Sequence, residues 1–571
     1  MISYRKLAMR VLGHSPVSAV KTARRSTGKR AAALALTAAL VVGMTLPAFA
    51  QDWYIEDGDI SISAGESGNN VTQGGTTTEN DTDTVIKSKD SSTASSNTVT
   101  IDADEGKTVN VTLENVNIDT SKTGEAAVSV TGSGNTNIEL NGNNTLTSSS
   151  GYAGLEHNKT DDSGTLTITD NDNDGKLDAK GGTDGAGIGG SDEHDGQVTI
   201  TGGEITATGG NGAAGIGGGA GDTDAVGGDG DVTISGGTIT ATGGRLGAGI
   251  GGGAYGNGTV TVTDGDITAK ATGRYGAGIG GGYGAKPKPS GTLIGGNGTV
   301  TISGGTITEA SGGYMAAGIG SGFQGLGTVT IEGDAVIKNA QGGKAGAGIG
   351  SGTRGDSNIL IRGDAVIENA ESSQNGAGIG AGQGSLRDNI STVGKVTIEG
   401  NAKIENAKSG SGGSGIGGGA FGIGNVIIRG NAQIGNATGG EEGAGIGGGA
   451  LGTGDVTIEG NVTIENAQGG AGAAGIGGGA ETKPDTEDTR NKVSIKSTEA
   501  GSPNITAKGG GVLNDEIPGA AAIGSGSVVD GATEVKSDIT VEGKVTIDAT
   551  SGGNVAIGDS TNGETRFSGL Q

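Results

Sequence analysis

The sequence predicts an all-β fold, a right-handed single-stranded parallel β-helix (β-solenoid) with three short strands in each coil of about 30 residues. Three observations carry this reading. A Gly-Ala-Gly-Ile-Gly phrase recurs with small variations and places its isoleucine at Ile188, Ile216, Ile250, Ile279, Ile319, Ile349, Ile379, Ile416, Ile446 and Ile476. Four of the nine spacings are 30, and the longest contain insertions such as Lys286-Pro287-Lys288-Pro289 and Gln383 to Val393. A period with insertions of this kind means stacked repeats with loops on an edge. Each repeat also holds three alternating runs, as in Val329-Thr330-Ile331, Ala335 to Asn339 and Ala347-Gly348-Ile349, so each coil has three faces. Finally, helical spacing is absent after the first fifty residues, and a flat coil satisfies its backbone only through the coils above and below it.

Residues 1–50 carry eight Lys or Arg and no acid, then an apolar run from Ala31 to Leu46, and end in Ala48-Phe49-Ala50. This is the pattern of a signal peptide, with the mature chain expected from Gln51. The apolar run is too short to span a bilayer and no second one follows, so an extracellular chain, secreted or held at the cell surface and not integral to the membrane, is expected. Residues 51–190 read as less regular coils, 191–480 as the regular repeats, and 481–571 as further coils after an acidic loop from Glu481 to Arg490. The helix is expected to run from about residue 84 to residue 560 beneath a looser N-terminal cap. About fifteen coils at a strand spacing of about 4.8 Å make a rod of roughly 70 Å.

Within the repeat, residues two apart share a face, so Val329, Ile331, Ala335, Ile337, Ala347 and Ile349 should point inward, and Thr330 and Lys338 outward. The same parity puts Asn339, Asn369, Asn406, Asn436 and Asn466 inside, as a ladder of stacked amides. Glu332, Arg362, Glu399, Arg429 and Glu459 alternate in sign on the outside and are read as a register lock. Glycines are expected at the corners, where positive φ is needed.

The formal net charge of −26 disfavours nucleic acid and anionic lipid as partners. With no cysteine, stability must come from hydrogen bonds and packing.

Several ordered phrases in the N-terminal coils carry a resemblance. They are Asp52-Trp53-Tyr54-Ile55, Val111-Thr-Leu-Glu-Asn-Val-Asn-Ile118, Ile138-Glu-Leu-Asn-Gly-Asn-Asn-Thr-Leu146, Tyr152-Ala-Gly-Leu155 and Gly164-Thr-Leu-Thr-Ile168. Together they resemble the secreted right-handed β-helix carbohydrate-binding domain family of clostridia and related bacteria, over about residues 51–190. The Gly-Ala-Gly-Ile-Gly repeats look like those of bacterial surface proteins. The resemblance implies binding of a cell-wall polysaccharide, in some members with calcium, and together with general chirality it supplies the expected handedness.

Catalysis is not expected. A polysaccharide lyase or hydrolase needs clustered carboxylates beside a group that moves a proton. Beyond residue 50 there are only two histidines, His157 and His194, neither in a recognisable motif, and the Asp161-Asp162 pair sits in turn-like sequence. The Gly-Ile-Gly-Gly-Gly segments recur too often for phosphate loops and no helix follows them. Calcium has a better case, because Asp170, Asp172, Asp174 and Asp178 stand at the first, third, fifth and ninth positions of an Asp/Asn-rich stretch, a pattern of hard oxygen ligands. For glycan, the candidates are Tyr255, Tyr275, Tyr283, Tyr314 and Phe323. Aromatics make up only 2% of the chain, and these five gather close to Ile250, Ile279 and Ile319, at the two ends of one short strand in successive coils. Two functional readings follow: a polysaccharide-binding protein, or a non-catalytic structural or adhesive rod at the cell surface, for which the regularity of 191–480 speaks.

Overall fold

The computed structural model describes residues 49–221, 228–285, 296–480, 490–512, 518–527, 537–559 and 565–568. The proposed leader up to Ala48, the Lys286 to Pro289 insertion and the acidic loop up to Thr489 lie outside the described residues. From Phe49 onward the chain is a parallel β-solenoid of about 16 turns of roughly 30 residues. A 3-10 turn at Ile55–Asp57 is the one helical segment among the described residues.

Hydrophobic columns hold the coils in register. Val128, Leu155, Ile188 and Ile216 stack directly, and the column runs on through Ile349 and Ile476 to Ile557. A second column runs Val198, Val232, Val260, Val300, Val329, Ile359, Val396, Val426, Val456 and Val493. A third takes Ile337, Ile367, Ile404, Ile434 and Ile464. All these isoleucines and valines up to residue 523 are essentially fully buried, so each removes nearly its whole apolar surface from water.

From Ile188 onward the third strand of each described coil is only two residues, Ile-Gly, for a steric reason. At Gly350 the backbone takes φ +135°, and a Cβ there would sit 1.9 Å from the carbonyl oxygen of Gly380 in the next coil. The phrase repeats because every coil meets the same close approach. Not every corner uses glycine, however. Five residues after the coil isoleucine the backbone is left-handed, and several coils place a larger side chain there: Tyr255 (φ 58°), Gln324 (64°), Arg354 (63°), Phe421 (63°) and Leu451 (60°). Such positions cost about 1–2 kcal/mol each, offset by the hydrogen bonds that fix the corner.

Regular pairing begins earlier than residue 84. The Phe49–Tyr54 strand already pairs in parallel with Thr76–Lys87. Between them Asn69–Gln73 runs antiparallel to both Ile60–Ala64 and Thr76–Lys87. The Trp53 indole N–H donates to the Asp81 carboxylate at 2.8 Å, Thr84 donates to the same group at 3.1 Å, and the Asn69 amide donates to Thr84 at 3.0 Å. Exposure of Thr76 to Asn80 on both faces hides this strand from a period-two reading.

The asparagine column is a ladder, but it is not inside. Ile337 and Ala340 are the buried residues, with Lys338 and Asn339 between them on the outside. Two residues rather than one separate consecutive inward positions within the strand, so strict alternation places the amides on the wrong side. Asn406 donates to Asn369 at 3.1 Å, Asn436 to Asn406 at 3.1 Å and Asn466 to Asn436 at 3.3 Å. Asn339 is not joined to this ladder; Asn369 donates instead to the Lys338 carbonyl at 3.1 Å. A second ladder, Asp364 to Asn401 to Asn431 to Asn461, lies on the turn after the first strand. The alternating charges pair two by two: Arg362 with Glu332, and Arg429 with Glu399, whose guanidinium Nε donates at 2.8 Å.

Candidate functional site

The aromatic residues gather on one edge, where the turns either side of the short Ile-Gly strand meet. Backbone bonds place the two flanks together: Tyr283 N–H donates to Leu246 O at 2.9 Å, and Phe323 N–H to Tyr275 O at 3.0 Å. Four of the five expected rings therefore touch. Tyr275 and Tyr283 lie 4.7 Å apart between ring centres, Tyr255 and Tyr283 5.3 Å, Tyr275 and Phe323 5.5 Å, and Tyr283 and Phe323 are stacked at 6.0 Å. All four are half-buried, and burial, reinforced by Tyr255 and Tyr275, pushes the Tyr283 hydroxyl above the usual phenol range.

Tyr314 stands outside this cluster, 44% exposed. It sits between two cations, with the Arg274 guanidinium 5.3 Å from its ring centre and the Lys344 ammonium 5.5 Å away; Arg274 also lies 5.6 Å from Tyr275. Arg245, Arg274, Tyr314 and Lys344 each precede their coil isoleucine by five residues, so they form one vertical column. Direct backbone bonds join it, from Arg274 N–H to Arg245 O at 3.3 Å, and from Met315 and Ala345, the residues after Tyr314 and Lys344, back to the carbonyls of Arg274 and Tyr314. The column was open to sequence reasoning, which missed it, because it has the same offset as Tyr314. The charged ends of these three cations are exposed, and none forms an ion pair among the described residues.

The four aspartates do not converge. The Asp170 and Asp172 carboxylates approach Glu139, with ligand atoms within 4.8 Å of one another, and neither Asp174 nor Asp178 joins that set. Asp178 instead lies exposed on Lys176–Lys180, in register between Thr145 and Thr206. Glu139 is already engaged, accepting from the Asn171 backbone and side-chain amides at 2.6 Å each and from the Thr169 hydroxyl. Two of the four expected aspartates therefore meet, together with a glutamate of the preceding coil that is already engaged by the turn's own donors.

A second polar site went unseen in the sequence. Leu155, Glu156 and His157 are all buried, breaking alternation, because the chain returns antiparallel over them, with Asn158 opposite Gly196 and Lys159 opposite Asp195. They lie beside a cavity of about 390 Å³ at the end of Val128–Gly132. One Glu156 oxygen accepts from the Ser129 hydroxyl at 3.1 Å, while the other, Oε2, is buried and has no partner. Burial pushes the Glu156 carboxyl up and the His157 imidazole down, so both lean toward their neutral forms. His157 Nδ1 lies 2.8 Å from the Gln197 carbonyl oxygen.

Among the described residues no helix is long and apolar enough to cross a membrane. The family model described as beta helix repeat matches residues 173–192, 198–220, 232–254, 255–283 and 300–323, covering the aromatic edge and the coils before it. No curated protein and no solved structure matches the chain. Matched repeats and stacked parallel strands agree that the fold is a parallel β-helix, with beta helix repeats matched between residues 173 and 323.

Proposed function

We propose that this is an extracellular polysaccharide-binding protein, and that the sugar chain lies along the edge formed by Tyr255, Tyr275, Tyr283, Tyr314 and Phe323. The observation that carries the reading is the concentration of rings on one edge of a chain with 2% aromatics, beside three cations that form no ion pair among the described residues. Sugar rings stack on aromatic faces through their C–H groups, and the exposed Tyr314 offers such a face. In a protein of net charge −26, Arg245, Arg274 and Lys344 form a local positive column that favours a chain bearing carboxylate or sulfate groups. The leader-like first fifty residues support export. A glycan array probed with residues 51–571 tests the proposal: retention of anionic polysaccharides that weakens with salt supports it, and an array without retention overturns it.

The rod reading has its own support in the two asparagine ladders and the Glu–Arg pairs between residues 332 and 466, which face solvent and spend their polar groups on one another. That surface holds register, while the aromatic edge remains the part with unused binding capacity.

A further inference from the structure

We propose that the cavity beside Glu156 and His157 is a second ligand site, for one neutral, hydroxyl-rich unit such as a terminal monosaccharide. One buried polar atom lining it lacks a partner, and two exposed polar groups at its mouth are free to turn toward a ligand. Glu156 Oε2 has no hydrogen-bond partner although the residue is only 8% exposed, and among the described residues the Ser133 hydroxyl and the Asp162 carboxylate also make no side-chain hydrogen bond. An unpaired buried carboxyl oxygen is costly, so a group that bonds to it recovers that loss. The cavity, about 390 Å³, is of the size that encloses a small ligand.

The chemistry of the walls selects the class. Thr131, Ser133, Asn158 and Ser163 offer hydroxyl and amide groups, and no large apolar side chain lines the cavity apart from Val130. No Lys or Arg lines it to balance an anion, and Asp162 at the rim repels one. A cation is disfavoured in turn, since Glu156 is drawn toward its protonated form by burial. A sugar hydroxyl both donates and accepts, so it can donate to the unpaired Glu156 oxygen while accepting from the Ser133 hydroxyl. The site is distant in sequence from the aromatic edge and stands independently of it.

Saturation-transfer NMR on residues 51–571 carrying Tyr283→Ala and Phe323→Ala tests the site with the edge disabled. Glucose and galactose at millimolar concentration should show transfer, and galacturonate at least fivefold less. Glu156→Leu should abolish the signal, and Asp162→Ala together with Ser133→Ala should weaken it severalfold; the rim pair decides the matter if Glu156→Leu does not fold. Absence of transfer from both neutral sugars overturns the proposal, as does equal transfer from galacturonate or a signal indifferent to the variants. Because the edge is already removed, failure here leaves the polysaccharide reading standing, and success does not depend on it.

Discussion

The rings of Tyr283 and Phe323 lie 6.0 Å apart and within 8° of parallel, each four residues beyond the isoleucine of its own coil. Equal offset in successive coils is what stacks them. Tyr283 also touches Tyr255 and Tyr275, and this crowding keeps its hydroxyl from ionising at the ordinary phenol value of 10.0. A spectrophotometric titration of Tyr283→Phe, subtracted from that of the parent chain, should isolate one phenol that ionises above that value. A difference curve centred at or below 10.0 contradicts the packed cluster.

Gly350→Ala should be strongly destabilising. Its Cβ would approach the Gly380 oxygen to 1.9 Å, and φ +135° is unsuited to alanine. A loss on the order of 3 kcal/mol or more is expected in chemical denaturation, because backbone of the next coil must move. Alanine at Gly106, which has positive φ but open space around it, should cost only about 1 kcal/mol.

The asparagine ladder should weigh unequally along its length. Asn406 donates to Asn369 and to the Glu368 carbonyl, and accepts from Asn436. Asn466 is the last rung, and its Oδ1 is buried without a partner because the next coil omits the extra residue and shifts register after Ile464. Asn406→Ala should therefore cost about 1–2 kcal/mol and Asn466→Ala clearly less, as measured by denaturant midpoints.

Glu156 should make stability fall with rising pH. Its carboxyl is raised by burial in the folded chain, so the folded state holds the proton more tightly than the unfolded state does. That contribution is fully present below the ordinary value of 4.5 and is lost as pH climbs through the raised one. Glu156→Gln has no such proton to lose. The difference in unfolding free energy between the two chains should shift in favour of the variant across this window, and a difference flat in pH contradicts the burial.

The repeat made the fold legible. The isoleucine column, the inward Val329, Ile331 and Ala335, and the outward Lys338 all follow from period and parity. Parity failed at Asn339 to Asn466, since one additional residue within the strand inverts every later assignment. The aromatic edge was readable because its residues keep fixed offsets from the isoleucines, and the cationic column at the same offset was equally readable. Glu156 and His157 were not, for their burial comes from a return of the chain near Asp195 that no local pattern announces. The aspartate loop was half legible: Asp170 and Asp172 come together, but spacing along the chain says nothing about Glu139, which belongs to the preceding coil.

The most direct measurement is retention of residues 51–571 on an immobilised anionic polysaccharide, compared with the chain in which Tyr255, Tyr283 and Phe323 are all alanine and with Arg245→Ala, Arg274→Ala. The account predicts that the parent chain is retained, that the triple variant loses retention, and that the arginine pair loses most of it, each with unchanged β-sheet circular dichroism. Retention that survives both sets of changes would contradict binding at this edge, and loss of the β-sheet signal in the triple variant would assign the rings to holding the coils together.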